Sequence, residues 1–163
     1  MNRVLAILAS CFIDVMGFVV AALAASAFIH VMFLGAAGFE AGEAPLLLTG
    51  SVFSVPFVAL FVAYFAFLPT LPVILLGEVL SRRDWLFYAL GGVFVGLAIA
   101  ALFWGAALPI VDDPDAGAEP IYRDAGFLAL LVAAGVVGGL AYWLVAGRQS
   151  GAWRGRPELP PRA

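Results

Sequence analysis

Lysine is absent from the 163 residues, and histidine and cysteine occur once each. Only 12% of the chain is charged, where an ordinary soluble domain is nearer one-quarter. One histidine and one cysteine cannot assemble a His-ligated haem pair, a zinc site or an iron–sulfur cluster. A lone Cys11 also excludes an internal disulfide. No Gly-rich phosphate loop, nucleophile elbow or paired-His metalloprotease helix occurs. Basic residues never interleave with aromatics in the stripe that marks nucleic-acid binding. We read the use of arginine to the exclusion of lysine as genomic base composition, most simply that of a GC-rich bacterium. The residues therefore predict no cofactor, no metal and no nucleic-acid partner, and they disfavour a catalytic role.

What fills the chain instead is apolar. Hydrophobic residues make up 64% and the mean hydropathy is +1.08. They fall into long runs with the charges confined between them, and strand periodicity is nowhere evident. A bilayer core takes about 20 apolar residues in a helix. The runs predict an all-α, four-helix transmembrane bundle in a single domain, residues 1–147, with spans at 12–38, 46–68, 85–107 and 125–146. An Arg/Pro-rich tail, 148–163, follows.

The second run, 46–80, is too long for one simple span and contains Pro56, Pro69 and Pro72. Proline lacks an N–H and displaces the carbonyl four residues earlier, so a proline-broken second helix is expected: a span to Leu68, then a short helix 72–80. The first run has a matching excess, 4–13, and the two extensions are expected to pack together near the headgroups. Ser81, Arg82, Arg83 and Asp84 form a polar turn, with Asp84 able to cap the third helix. Asp124 is the corresponding cap for the fourth. Leu8, Ala9, Ser10 and Cys11 have the form of a lipoprotein cleavage box. The preceding apolar stretch is too short for a signal peptide and the run continues past Cys11, which favours a small-residue tetrad within a helix.

Retained positive charge marks the cytoplasmic side. With the N-terminus inside, Arg3, Arg82, Arg83, Arg148, Arg154, Arg156 and Arg162 face the cytoplasm, and only Arg123 lies outside. Both termini are therefore expected inside. Trp85, Tyr88, Tyr142, Trp143 and Trp153 then fall near the cytoplasmic ends, where amphipathic rings favour the headgroup level. Gly92 and Gly96 on the third helix, and Gly135 and Gly139 on the fourth, have the four-residue spacing that lets membrane helices approach closely. Residues 21–27 of the first helix offer a further face of alanine and serine.

Ionisable groups within spans are costly and face protein or water. The candidates are Asp14, His30 and Glu78. Treating the first two helices as an antiparallel pair places His30 level with Val55 and Pro56. Asp14 falls level with Leu71, where Thr70 is a donor within reach. These are read first as polar ties between helices, and second as a proton- or cation-responsive path. Glu78 with Arg82 is an i,i+4 ion pair of favourable orientation. The acidic run Asp112, Asp113, Asp115 matches no calcium-loop spacing and is read as a solvated outer loop.

Three segments, 57–64, 83–90 and 138–148, resemble parts of uncharacterised four-helix integral membrane proteins of alphaproteobacteria. The resemblance implies a bacterial inner (plasma) membrane and brings no activity with it. Three functions are consistent with the residues. The first is a non-catalytic membrane protein acting through helix–helix contacts, as an accessory or assembly subunit or a homo-oligomer. The others are a small proton- or cation-coupled transporter or channel using Asp14 and His30, and an envelope-lipid enzyme with a metal on the outer acidic loop. The partners expected are the lipid bilayer and another membrane protein or a second copy.

Overall fold

A computed structural model describes residues 3–37, 44–105 and 125–151. They form four helices, α1 (Arg3–Ala37), α2 (Ala44–Leu80), α3 (Trp85–Gly105) and α4 (Ala125–Val145), and a 3₁₀ turn, Gly147–Gln149. Among the described residues there is no strand. Each of the four helices is long and apolar enough to cross a membrane, so the chain is an all-α, multi-pass membrane protein. The outer acidic run, the caps and charges at 40–43 and 123–124, and the tail from 152 lie outside the described residues.

Helix length divides the bundle in two. At 1.5 Å per residue, α3 and α4 with 21 residues each reach about 31 Å, whereas α1 with 35 and α2 with 37 reach about 52 and 55 Å. The expected division of the second helix is not observed. α2 runs as one helical element through Pro56, Pro69 and Pro72. Each proline forfeits one backbone bond, but a full break would strip several N–H and C=O groups of partners in apolar surroundings. Continuing the helix is the smaller cost. The predicted packing of its last turns against the start of α1 is also limited. Ile13 and Ile74 both pack against the Tyr88–Tyr142 cluster, while Val4, Leu5, Leu8 and Phe12 stand exposed.

The helix at the centre of the packing is α4, which lies closest against α3 and next against α1; α2 makes the lightest contacts. Ala134, Gly138, Tyr142 and Ala146 are buried at four-residue spacing. They meet a small-residue stripe on α1: a Cβ on Gly138 would lie 3.3 Å from the Ala21 carbonyl, and one on Gly17 2.7 Å from the Ala146 Cβ. The adjoining face of α4 meets α3 backbone to backbone. A Cβ on Gly92 would strike the Gly135 carbonyl, one on Gly96 would lie 2.7 Å from the Leu131 carbonyl, and one on Gly139 would strike the Tyr88 carbonyl. Only glycine permits that approach, and the contact it gains is dispersion between close-packed backbones.

α2 ends in a tight reversal. Arg82 N donates to the Gly77 carbonyl at 2.9 Å and Ser81 N to the Glu78 carbonyl at 3.3 Å. This is the paired bonding of a Schellman cap, with Ser81 in the left-handed position at φ 51° where glycine is usual. Arg82 continues into an exposed ion pair with Asp84 at 3.6 Å, a contact of small energetic weight in water.

Candidate functional site

The polar chemistry of the described residues gathers at the end of the bundle that carries Arg82 and Arg83. There the 3₁₀ turn after α4 folds under the α2–α3 connection. Tyr88 is 2% exposed, and its hydroxyl lies 2.5 Å from Ser150 Oγ and 3.2 Å from the Arg82 carbonyl. A carbonyl only accepts, so the arrangement that satisfies both has Tyr88 donating to Arg82 and Ser150 donating to Tyr88. Arg83 Nε donates to the Ser150 carbonyl at 3.2 Å, and Trp143 Nε1 donates to the Arg83 carbonyl at 2.7 Å. Gly151 N donates to Glu78 Oε2 at 3.1 Å. Arg148 bonds back to the Leu144 carbonyl and lies over the Trp143 ring, so a cation sits where the carbonyls of α4 end. Together these bonds tie residues 147–151 to α2, α3 and the turn between them.

One layer inward, Tyr142 donates its hydroxyl to Asp14 Oδ1 at 2.8 Å. The rings of Tyr88 and Tyr142 lie 5.3 Å apart, so the two tyrosines join the Ser150 group to Asp14. The alignment that set Asp14 opposite Thr70 is therefore corrected: its partner comes from α4, because α4 rather than α2 is the main neighbour of α1. Thr70 lines the cavity described below. Tyr88 and Tyr142 are buried between the helices. Trp85 is exposed.

His30 does not reach the proline site either. Its Nδ1 donates to the Ser26 carbonyl of its own helix at 2.8 Å. The tie to α2 is made by Ser26, which is 0% exposed and donates to the carbonyl of Val55, the residue before Pro56, at 2.8 Å. A serine among alanines reads as a small packing residue, and nothing in the sequence distinguishes it as a donor. Asp14 and His30 are sixteen residues apart on α1, about 24 Å at 1.5 Å per residue. Among the described residues, the space between them is lined by apolar side chains and by the hydroxyl-bearing Thr70, Tyr88 and Tyr142.

That space is a cavity of about 280 Å³ bounded by all four helices. Tyr88 and Tyr142 line one end, and Phe103 and Phe127 the other. It exists because its walls are small: Ala22, Ala25, Ala66 and Ala134 are buried and line it, and the glycine faces of α3 and α4 complete it.

Among the described residues no group of three or more His, Cys, Asp or Glu is placed to hold a metal ion, and no buried side-chain nitrogen or oxygen lacks a partner. Glu78 accepts from Gly151 N through Oε2, and Arg82 pairs with Asp84. Ser26, Ser150 and Gly151 were not foreseen, because their roles depend on chain segments far apart in sequence. No known protein family, curated protein or solved structure matches this chain.

Proposed function

We propose that this is a non-catalytic integral membrane protein that works through helix–helix contacts within the bilayer, as an accessory or assembly subunit or as a homo-oligomer. The observation that carries this reading is the free face of α2. Phe53, Phe57, Leu60, Tyr64 and Leu68 follow one another at steps of four, three, four and four, which keeps them on one side of a helix. All five are exposed, Phe53 by 78% and Tyr64 by 77%. Tyr64 stands half-way along the span Thr49–Leu80. Its ring meets Phe65 edge-on at 5.3 Å, and its hydroxyl has no hydrogen-bond partner among the described residues. A hydroxyl turned toward hydrocarbon gains by finding a partner on another helix. α2 is also the helix least engaged by its own bundle.

The arginine distribution supports a placement in the bacterial inner membrane with both termini cytoplasmic. In that placement the tied-down segment 147–151 lies at the inner surface. Blue-native electrophoresis and mass spectrometry of protein purified at native expression test the reading. A discrete complex, homomeric or with a second membrane protein, is expected, and cysteine at position 64 should cross-link within it. A monomer without a co-purifying partner would sink the proposal.

A further inference from the structure

We infer that the central cavity is a binding site for a single acyl chain of a bilayer phospholipid. The shape is that of a chain. Along α3 the lining extends from Tyr88 to Phe103, fifteen residues or about 22 Å, over which about 280 Å³ leaves a narrow, elongated channel. That length exceeds half of a hydrocarbon core of about 30 Å. The lining is predominantly apolar. Its hydroxyl groups come from Thr70, Tyr88 and Tyr142. Tyr88 is committed to Arg82 and Ser150, and Tyr142 to Asp14. Water entering such a space would lack the two to four polar partners that hold it.

Tyr88 and Tyr142 line the cavity toward the Arg82–Arg83 end, where residues 147–151 are bonded across the base. The cavity is partly open, and the medium around four membrane-spanning helices is lipid. A bilayer acyl chain therefore has the access, length and polarity the space demands. Buried alanines on α1, α2 and α4 leave the room, and dispersion contacts with them and with Phe18, Phe61 and Phe65 retain the chain.

Reconstitution of the full chain into phosphatidylcholine vesicles containing a fraction of lipid with a diazirine-bearing acyl chain tests this site. After irradiation, peptide mapping by mass spectrometry should find adducts on inward residues such as Ala66, Val95 and Ala134, in addition to those on the outward residues Leu60 and Leu68. Ala66→Phe, and separately Ala25→Leu, should abolish the inward adducts and leave the outward ones unchanged. Adducts confined to outward residues, or inward adducts indifferent to both substitutions, would overturn the inference. Because a filling substitution can compromise folding, a milder Ala134→Val variant is paired with a thermal measurement in detergent. Added phosphatidylcholine should raise the Tm of the natural chain and raise that of Ala134→Val less. Equal shifts in the two proteins count against an internal site.

Discussion

Ser81 and Gly151, the two described residues of positive φ, pack against each other. A Cβ on Gly151 would lie 2.6 Å from the Ser81 Cβ and would also strike its hydroxyl oxygen. Ser81 holds the reversal after α2, and Gly151 ends the segment that folds beneath it. The strain of a non-glycine residue in the left-handed region, about 1–2 kcal/mol, is thus held at the point where the chain after α4 is secured.

Gly151→Ala is expected to release that segment. It adds a left-handed penalty of about 1–2 kcal/mol to a collision with Ser81, and it weakens the bond from Gly151 N to Glu78. Limited proteolysis should cleave after α4 faster in the variant, with little change in the helical circular dichroism. Unchanged proteolysis would mean the contact carries no weight.

Removing the Tyr88 hydroxyl should cost more than its exposed counterpart. Tyr88→Phe leaves Ser150 Oγ and the Arg82 carbonyl without a buried partner, at about 1–3 kcal/mol. Tyr64→Phe, on the free face of α2, should change the Tm of the isolated protein little. In a double-mutant cycle, Tyr88→Phe and Ser150→Ala should be non-additive, since each removes the same bond.

The glycines separate into two classes. Gly139→Ala places a methyl group on the Tyr88 carbonyl and should destabilise by about 1–3 kcal/mol through overpacking. Gly50 and Gly35 meet nothing within 4 Å of a built Cβ. Alanine there should be neutral or stabilising by about 0.5–1 kcal/mol through the helix backbone alone. Thermal unfolding of the three variants in one detergent measures the difference, and equal Tm values would refute the α3–α4 packing.

Asp14→Asn keeps an oxygen to accept from Tyr142 and should leave stability close to that of the natural chain. Asp14→Ala strands the Tyr142 hydroxyl and should lower it by about 1–3 kcal/mol. If proteoliposome flux were found and Asp14→Asn abolished it without changing the Tm, Asp14 would be a transport residue and not a structural tie.

Ser26→Ala removes the hydrogen bond to Val55, at about 0.5–1.5 kcal/mol, while His30→Ala removes only a bond within α1. The serine variant should therefore show the larger fall in Tm. The reverse order would restore the histidine as the residue that holds α2.

Sequence alone determined that this chain is a set of four long apolar helices. Hydrocarbon burial is summed residue by residue along each run, and it needs no knowledge of the neighbours. The close glycine spacing on α3 and α4 was legible for the same local reason, since residues four apart share a helix face. The fate of Asp14, His30 and Ser26 was not. Helices apolar on every side carry no periodic signal to say which face turns inward, so pairing the helices in chain order put Asp14 against Thr70. Only the tertiary structure set α4 beside α1 and brought Tyr142 to Asp14. It also kept α2 continuous through its prolines and folded Ser150 and Gly151 under Tyr88 and Ser81. Those outcomes depend on backbone approach distances and on hydrogen bonds between residues 62 to 128 positions apart, which no local pattern encodes.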